Sequence, residues 1–164
     1  MGSIQNSIVG ALGAAAGAAV AIEHAKDSDF SKMNSADNSA LIARNQSREA
    51  DAAAYDARVE MEGPGGIKEQ ADEADKNAHK AAERAAQAEA MNKVYPSPMN
   101  KGKAEKRAKE FKEAKKALEL LKDSIKAKTD VIDRAIEQRQ HATKLTEIAS
   151  KEQKKYESRW GGIK

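Results

Sequence analysis

Residues 8–22 read IVGALGAAAGAAVAI, and no other stretch of the 164-residue chain is like them. No charge occurs from Met1 through Ile22, after which the chain turns polar at Glu23. The run holds three glycines, Gly10, Gly13 and Gly17, and no proline. Gly13 and Gly17 form a small-xxx-small pair, which in lipid lets two helix backbones approach closely. In water such glycines weaken a helix by about 0.8–1 kcal/mol each. With Ile8, Leu12, Val20 and Ile22 as its larger side chains, the run predicts an apolar helix made for a bilayer or for a tight helix bundle.

Residues 4–22 number 19, which meets the lower limit of roughly 17–25 for a membrane span. Alanine and glycine partition only marginally into lipid, so a segment that inserts on delivery fits better than a permanent anchor. A cleaved signal peptide is disfavoured, because no Lys or Arg precedes the apolar core. N-myristoylation fails at Asn6, where the motif needs Ser or Thr.

The remaining composition argues for helices packed on helices. Aromatic residues make up 4% and charged residues 34%, and alanine supplies much of the apolar fraction. Alanine buries little area, and burial yields only about 25 cal/mol per Å², so long packed helices are a cheaper solution than a large core. The absence of cysteine excludes disulfides and thiolate chemistry. Charge is unevenly spread: residues 1–100 carry 10 Lys and Arg against 15 Asp and Glu, and residues 101–164 carry 19 against 11, giving the net +3.

Along the chain, residues 23–36 read as a polar linker, with Asp27, Ser28, Asp29 and Ser31 offering turn or N-cap chemistry. A helix is expected over 37–62, with Leu41, Ile42, Ala50, Ala53, Ala54, Ala57 and Met61 as its apolar members. Gly63, Pro64, Gly65 and Gly66 break it, and the elbow makes 37–93 an alanine-rich helical hairpin. In the second arm Ala71, Ala74, Ala78, Ala81, Ala85 and Ala88 step by three and four, an a/d seam of alanine alone. Tyr95, Pro96, Ser97 and Pro98 place a loop over 94–102. A long basic amphipathic helix follows over 103–159, about 85 Å at 1.5 Å per residue. Phe111, Ala114, Leu118, Leu121, Ile125, Ile132 and Ala135 form its stripe, interrupted at Lys128, and the seam shifts beyond Arg139 to Ala142, Leu145, Ile148 and Ala149. Residues 160–164 read as a flexible tail. The fold class is all-α: extended helical hairpins, a long coiled-coil-like helix and the apolar N-terminal helix.

No catalytic, cofactor or metal site emerges. His24, His79 and His141 are far apart and lack ligand-spaced neighbours. Gly63 to Gly66 lacks the lysine and spacing of a phosphate loop. The alanine seam, with Phe111, Leu118, Leu121, Ile125 and Ile132, is the candidate surface for oligomerisation. Lys103, Lys106, Arg107 and Lys109 are candidates for non-specific nucleic-acid contact, although the interleaved Glu105, Glu110 and Glu113 suit a solvated flank as well.

An apolar Gly/Ala-rich N-terminus, an alanine-rich polar middle and a long basic helix together resemble the DNA-ejection proteins of short-tailed phages and the DNA pilot proteins of small icosahedral phages. The resemblance is one of architecture over the whole chain, strongest at residues 8–22 and from Lys103 onward, and carries no site residues across. It implies a non-enzymatic virion component that meets other copies, other virion proteins, the host envelope and the packaged DNA during genome delivery. The alternative is a structural coiled-coil virion or scaffold protein whose Gly/Ala helix is buried in a protein bundle. A further alternative is a cellular coiled coil anchored by one span.

Overall fold

The structure is a computed structural model that describes the backbone of residues 2–162 and the side chains of residues 17–162. It is all-α, as the sequence predicts: α1 spans Gly2–Glu62, α2 Ile67–Val94 and α3 Pro98–Trp160, and no strand occurs among the described residues.

The expected linker over 23–36 is helical and belongs to α1. Neither glycine nor proline occurs between residues 18 and 62, so nothing in the backbone stops the helix. The row of Asp29, Met33 and Ala36, half-buried at three- and four-residue steps, leads directly into Ala40, Ala43, Ser47, Ala54, Ala57 and Met61, all buried. Alanine therefore sets the phase of α1. Leu41 and Ile42, expected on its buried face, are 51% and 58% exposed. At about 100° per residue they fall one and two steps off the stripe that Ala40 begins.

Gly63–Gly66 is the break that was expected, but not the reversal of a hairpin. Gly63 N–H donates to Val59 O at 2.9 Å and Gly66 N–H to Gly63 O at 2.8 Å. Gly65 has φ +69°, a left-handed conformation that L side chains resist. At Gly66 a Cβ would meet the carbonyl oxygens of Gly63 and Met61 at 2.7 Å. The Glu69 carboxylate accepts from Gly65 N–H at 2.8 Å, Gln70 Nε2 donates to Gly65 O at 2.9 Å, and Lys68 pairs with Glu62 at 3.0 Å. This bridge lets the helix axis restart without turning back.

The chain divides into two compact units, Arg48–Glu137 and Met1–Ser47 with Gln138–Lys164. In Arg48–Glu137, Glu60 of α1 forms an ion pair with Lys128, Ala78 of α2 shares a groove with Leu118, and Ala88 shares one with Lys103. Rising numbers on α1 and α2 meet falling numbers on α3, so both run antiparallel to α3, and the chain reverses at 95–97. Both α1 and α2 expose small-residue stripes, and α3 supplies the larger side chains that fill them.

In the other unit α1 and α3 are again antiparallel: Ala36 lies across from Leu145 and Asp29 from Arg159. Ala142 and Ala149 of α3 are buried there, while Ile148 is 48% exposed. The shift in the α3 stripe falls at Gln138, where two successive three-residue steps, Ile132 to Ala135 and Ala135 to Gln138, precede the four-residue step to Ala142. The oxygen of the Gln138 side chain is buried without a hydrogen-bond donor.

Both ends of α3 differ from expectation. It starts at Pro98, not 103. Pro98 is the first helical residue, where a missing N–H costs nothing, and Ser97 is the N-cap, its Oγ accepting from Asn100 N–H at 3.0 Å. It ends on Trp160, which is 7% exposed and not part of a loose tail.

Candidate functional site

Of the apolar N-terminal segment, Ile8, Gly10, Leu12 and Gly13 lie outside the residues whose side chains are described. Gly17 faces open space, and Val20 and Ile22 are each more than half exposed. Among the described residues no helix is long and apolar enough to cross a membrane.

The alanine seam of α2 forms as its spacing predicts. Ala71 and Ala78 are buried, and Ala74, Ala81, Ala85 and Ala88 are half-buried on the same face. Its neighbour is α3 of the same chain: Phe111 and Leu118 line one groove with Ala78 and His79. Leu121, Ile125 and Ile132 continue the α3 side, all half-buried. These residues thus close a seam within one molecule.

The basic residues divide. Lys103, Lys106 and Lys109 are exposed. Arg107 is half-buried and bonded to Glu110 at 2.9 Å. Lys103 and Arg107 line a shallow groove with Arg84 of α2, a cation that the α3 sequence alone did not bring to mind.

The strongest polar cluster was not anticipated. The Asp29 carboxylate accepts from Trp160 Nε1 at 2.9 Å and from Arg159 Nη1 at 2.8 Å. The indole hydrogen bond, then the charges of Arg159 and Lys32, hold the Asp29 carboxyl below the usual carboxylate range, against the opposing effect of desolvation. Arg159 also lies 5.1 Å from the centroid of the Trp160 ring, and Phe30 meets Tyr156 edge-on at 5.8 Å. This clasp fastens the last turn of α3 to α1. Its only signal in the sequence was Trp160 itself, which stands among glycines and gave no hint of its acceptor.

Among the described residues no group of three His, Cys, Asp or Glu is placed to hold a metal ion. His79 Nδ1 sits 2.9 Å from the carbonyl of Asp75, one turn back on its own exposed face. A second feature missed in the sequence is the turn between α2 and α3, where Met91, Val94, Tyr95 and Met99 are all exposed. The run 90–104 that contains them has three lysines and no acid, a pattern visible in the sequence once prolines cease to mark only a loop. No family model matches the chain, and no curated protein and no solved structure matches it.

Proposed function

We propose that this chain is a non-enzymatic, ejection-type virion protein, whose apolar N-terminal helix enters the host envelope during genome delivery. The observation that carries the reading is the bare face at Gly17, Val20 and Ile22. The α1 seam begins only near Ala25 and Asp29, so these apolar residues precede it and find no cover among the described residues. Such a helix needs lipid or other copies to cover it. Lys103, Lys106 and Lys109 are free to meet phosphate without sequence preference, which suits packaged DNA as a partner.

Open space at Gly17 also admits a second helix, and this favours one other reading: a virion scaffold in which the Gly/Ala helices of several copies bury one another. Dye release from liposomes separates the two. Full-length protein is expected to release dye, and Val20→Asp with Ile22→Asp to release at least tenfold less, since an aspartate at a helix centre in lipid costs about 2.5–3.5 kcal/mol. No release by the unaltered protein, or equal release by the variant, removes the membrane role. A monodisperse ring in detergent-free buffer with protected N-termini favours the scaffold.

A further inference from the structure

We infer that the α2–α3 turn is a second lipid-binding element, one that docks on an anionic bilayer surface. Met91, Val94, Tyr95 and Met99 are 52–69% exposed, and Lys93, Lys101 and Lys103 surround them with no acid between residues 90 and 104. Lys101 and Lys103 form no ion pair among the described residues, and Lys93 reaches back at 3.4 Å to the exposed Glu89. Exposed aliphatic and aromatic side chains ringed by lysines match the two layers of a bilayer interface. The apolar groups and the tyrosine ring enter the acyl boundary, and the ammonium groups stay at the phosphates.

The backbone of the turn is prepared for a medium poor in water. Pro96 and Pro98 have no N–H to leave unsatisfied. Tyr95 N–H donates to Met91 O at 2.8 Å and Lys101 N–H to Ser97 O at 2.9 Å. Ser97 Oγ takes the Asn100 N–H, and Asn100 Nδ2 donates to Tyr95 O at 2.7 Å. Unpaired backbone groups make ordinary loops costly to bring into lipid, and here the side chains of Ser97 and Asn100 remove much of that cost. Met91 lines the shallow groove that Arg84, Lys103 and Arg107 share, and Val94, Tyr95 and Met99 are about two-thirds exposed on the turn. A fluid interface adapts to the turn. The excess of positive charge at the rim, Lys101 and Lys103 above all, selects anionic headgroups.

The inference stands independently of the N-terminal helix, and one design separates them. The chain has no cysteine, so Val94→Cys and Ile22→Cys can each carry an environment-sensitive dye on the full-length protein. With vesicles of phosphatidylcholine and phosphatidylglycerol, the dye at 94 is expected to brighten and shift to the blue, and with phosphatidylcholine alone far less. Lys101→Ala and Lys103→Ala are each expected to weaken vesicle binding about fivefold. Tyr95→Ser with Met99→Ser is expected to weaken it about tenfold, at unchanged helical circular dichroism. A response at 22 without one at 94 overturns this inference and leaves the proposed N-terminal role intact, and the converse does the opposite. Equal response on both vesicle types, a response to an oligonucleotide instead of vesicles, or a response to protein concentration alone would each overturn the bilayer assignment.

Discussion

Asp29 is the residue on which the ordering of the α3 C-terminus turns. Its carboxylate takes two donors from consecutive residues, Arg159 and Trp160. Its pKa in the folded chain is depressed, so the clasp contributes stability above the unfolded carboxylate value of about 4 and loses it as pH falls through the lower folded value. Trp160 is the only tryptophan, and its fluorescence reports the clasp directly. Emission is expected to hold steady from neutral pH down to the carboxylate range and then to move toward that of exposed indole. Asp29→Ala is expected to show the exposed spectrum at every pH. Should the variant keep the native spectrum, Asp29 does not hold the indole.

At the scale of elements, the seam is built from the smallest side chains available. Ala40, Ala43, Ala54 and Ala57 are each at most 3% exposed, and close backbone approach replaces large knobs as the means of packing. Ala57→Leu is expected to destabilise the fold by about 1–3 kcal/mol, as overpacking does, while Ile42→Ser on the outer face changes stability little. Thermal unfolding followed by circular dichroism checks both, and a stabilised Ala57→Leu would refute close approach at that point. The same elements show what could be read without coordinates. The alanine row of α2 was legible because every seam position from Ala71 to Ala88 carries the same residue. In α1 Leu41 and Ile42 drew attention away from the alanines beside them, since hydrophobicity weighs size while packing weighs phase. The polar residues of 23–36 looked like a linker because composition alone cannot show that a helix lacks a stop signal. Exposure at Val94 and Tyr95 depends on what α3 leaves uncovered, and one-dimensional spacing does not hold that information.

For the molecule as a whole, charge follows the antiparallel pairing. Gly2–Glu62 carries 5 Lys and Arg against 9 Asp and Glu, and Pro98–Trp160 carries 18 against 11. In each unit an acidic α1 therefore lies along a basic α3, with Glu60–Lys128 in one and Asp29–Arg159 in the other as the paired charges. Such half-exposed pairs contribute little and are screened by salt. Raising ionic strength from about 10 mM to about 0.5 M is expected to lower Tm by a few degrees. A Tm that is unchanged or higher in salt would show that attraction between the helices is not part of the stability.

An alanine seam also has little individuality. Sliding α1 by two turns, about 11 Å, along the α3 segment that ends at Trp160 would again set Ala36, Ala40 and Ala43 against the α3 stripe. What such a shift cannot reproduce is a carboxylate opposite the one indole, so Asp29 and Trp160 act as the index mark of an otherwise unnumbered ruler. A chain lacking that mark would be expected to populate several alignments of equal helicity, told apart by the spacing between labels on the two helices and not by any loss of secondary structure.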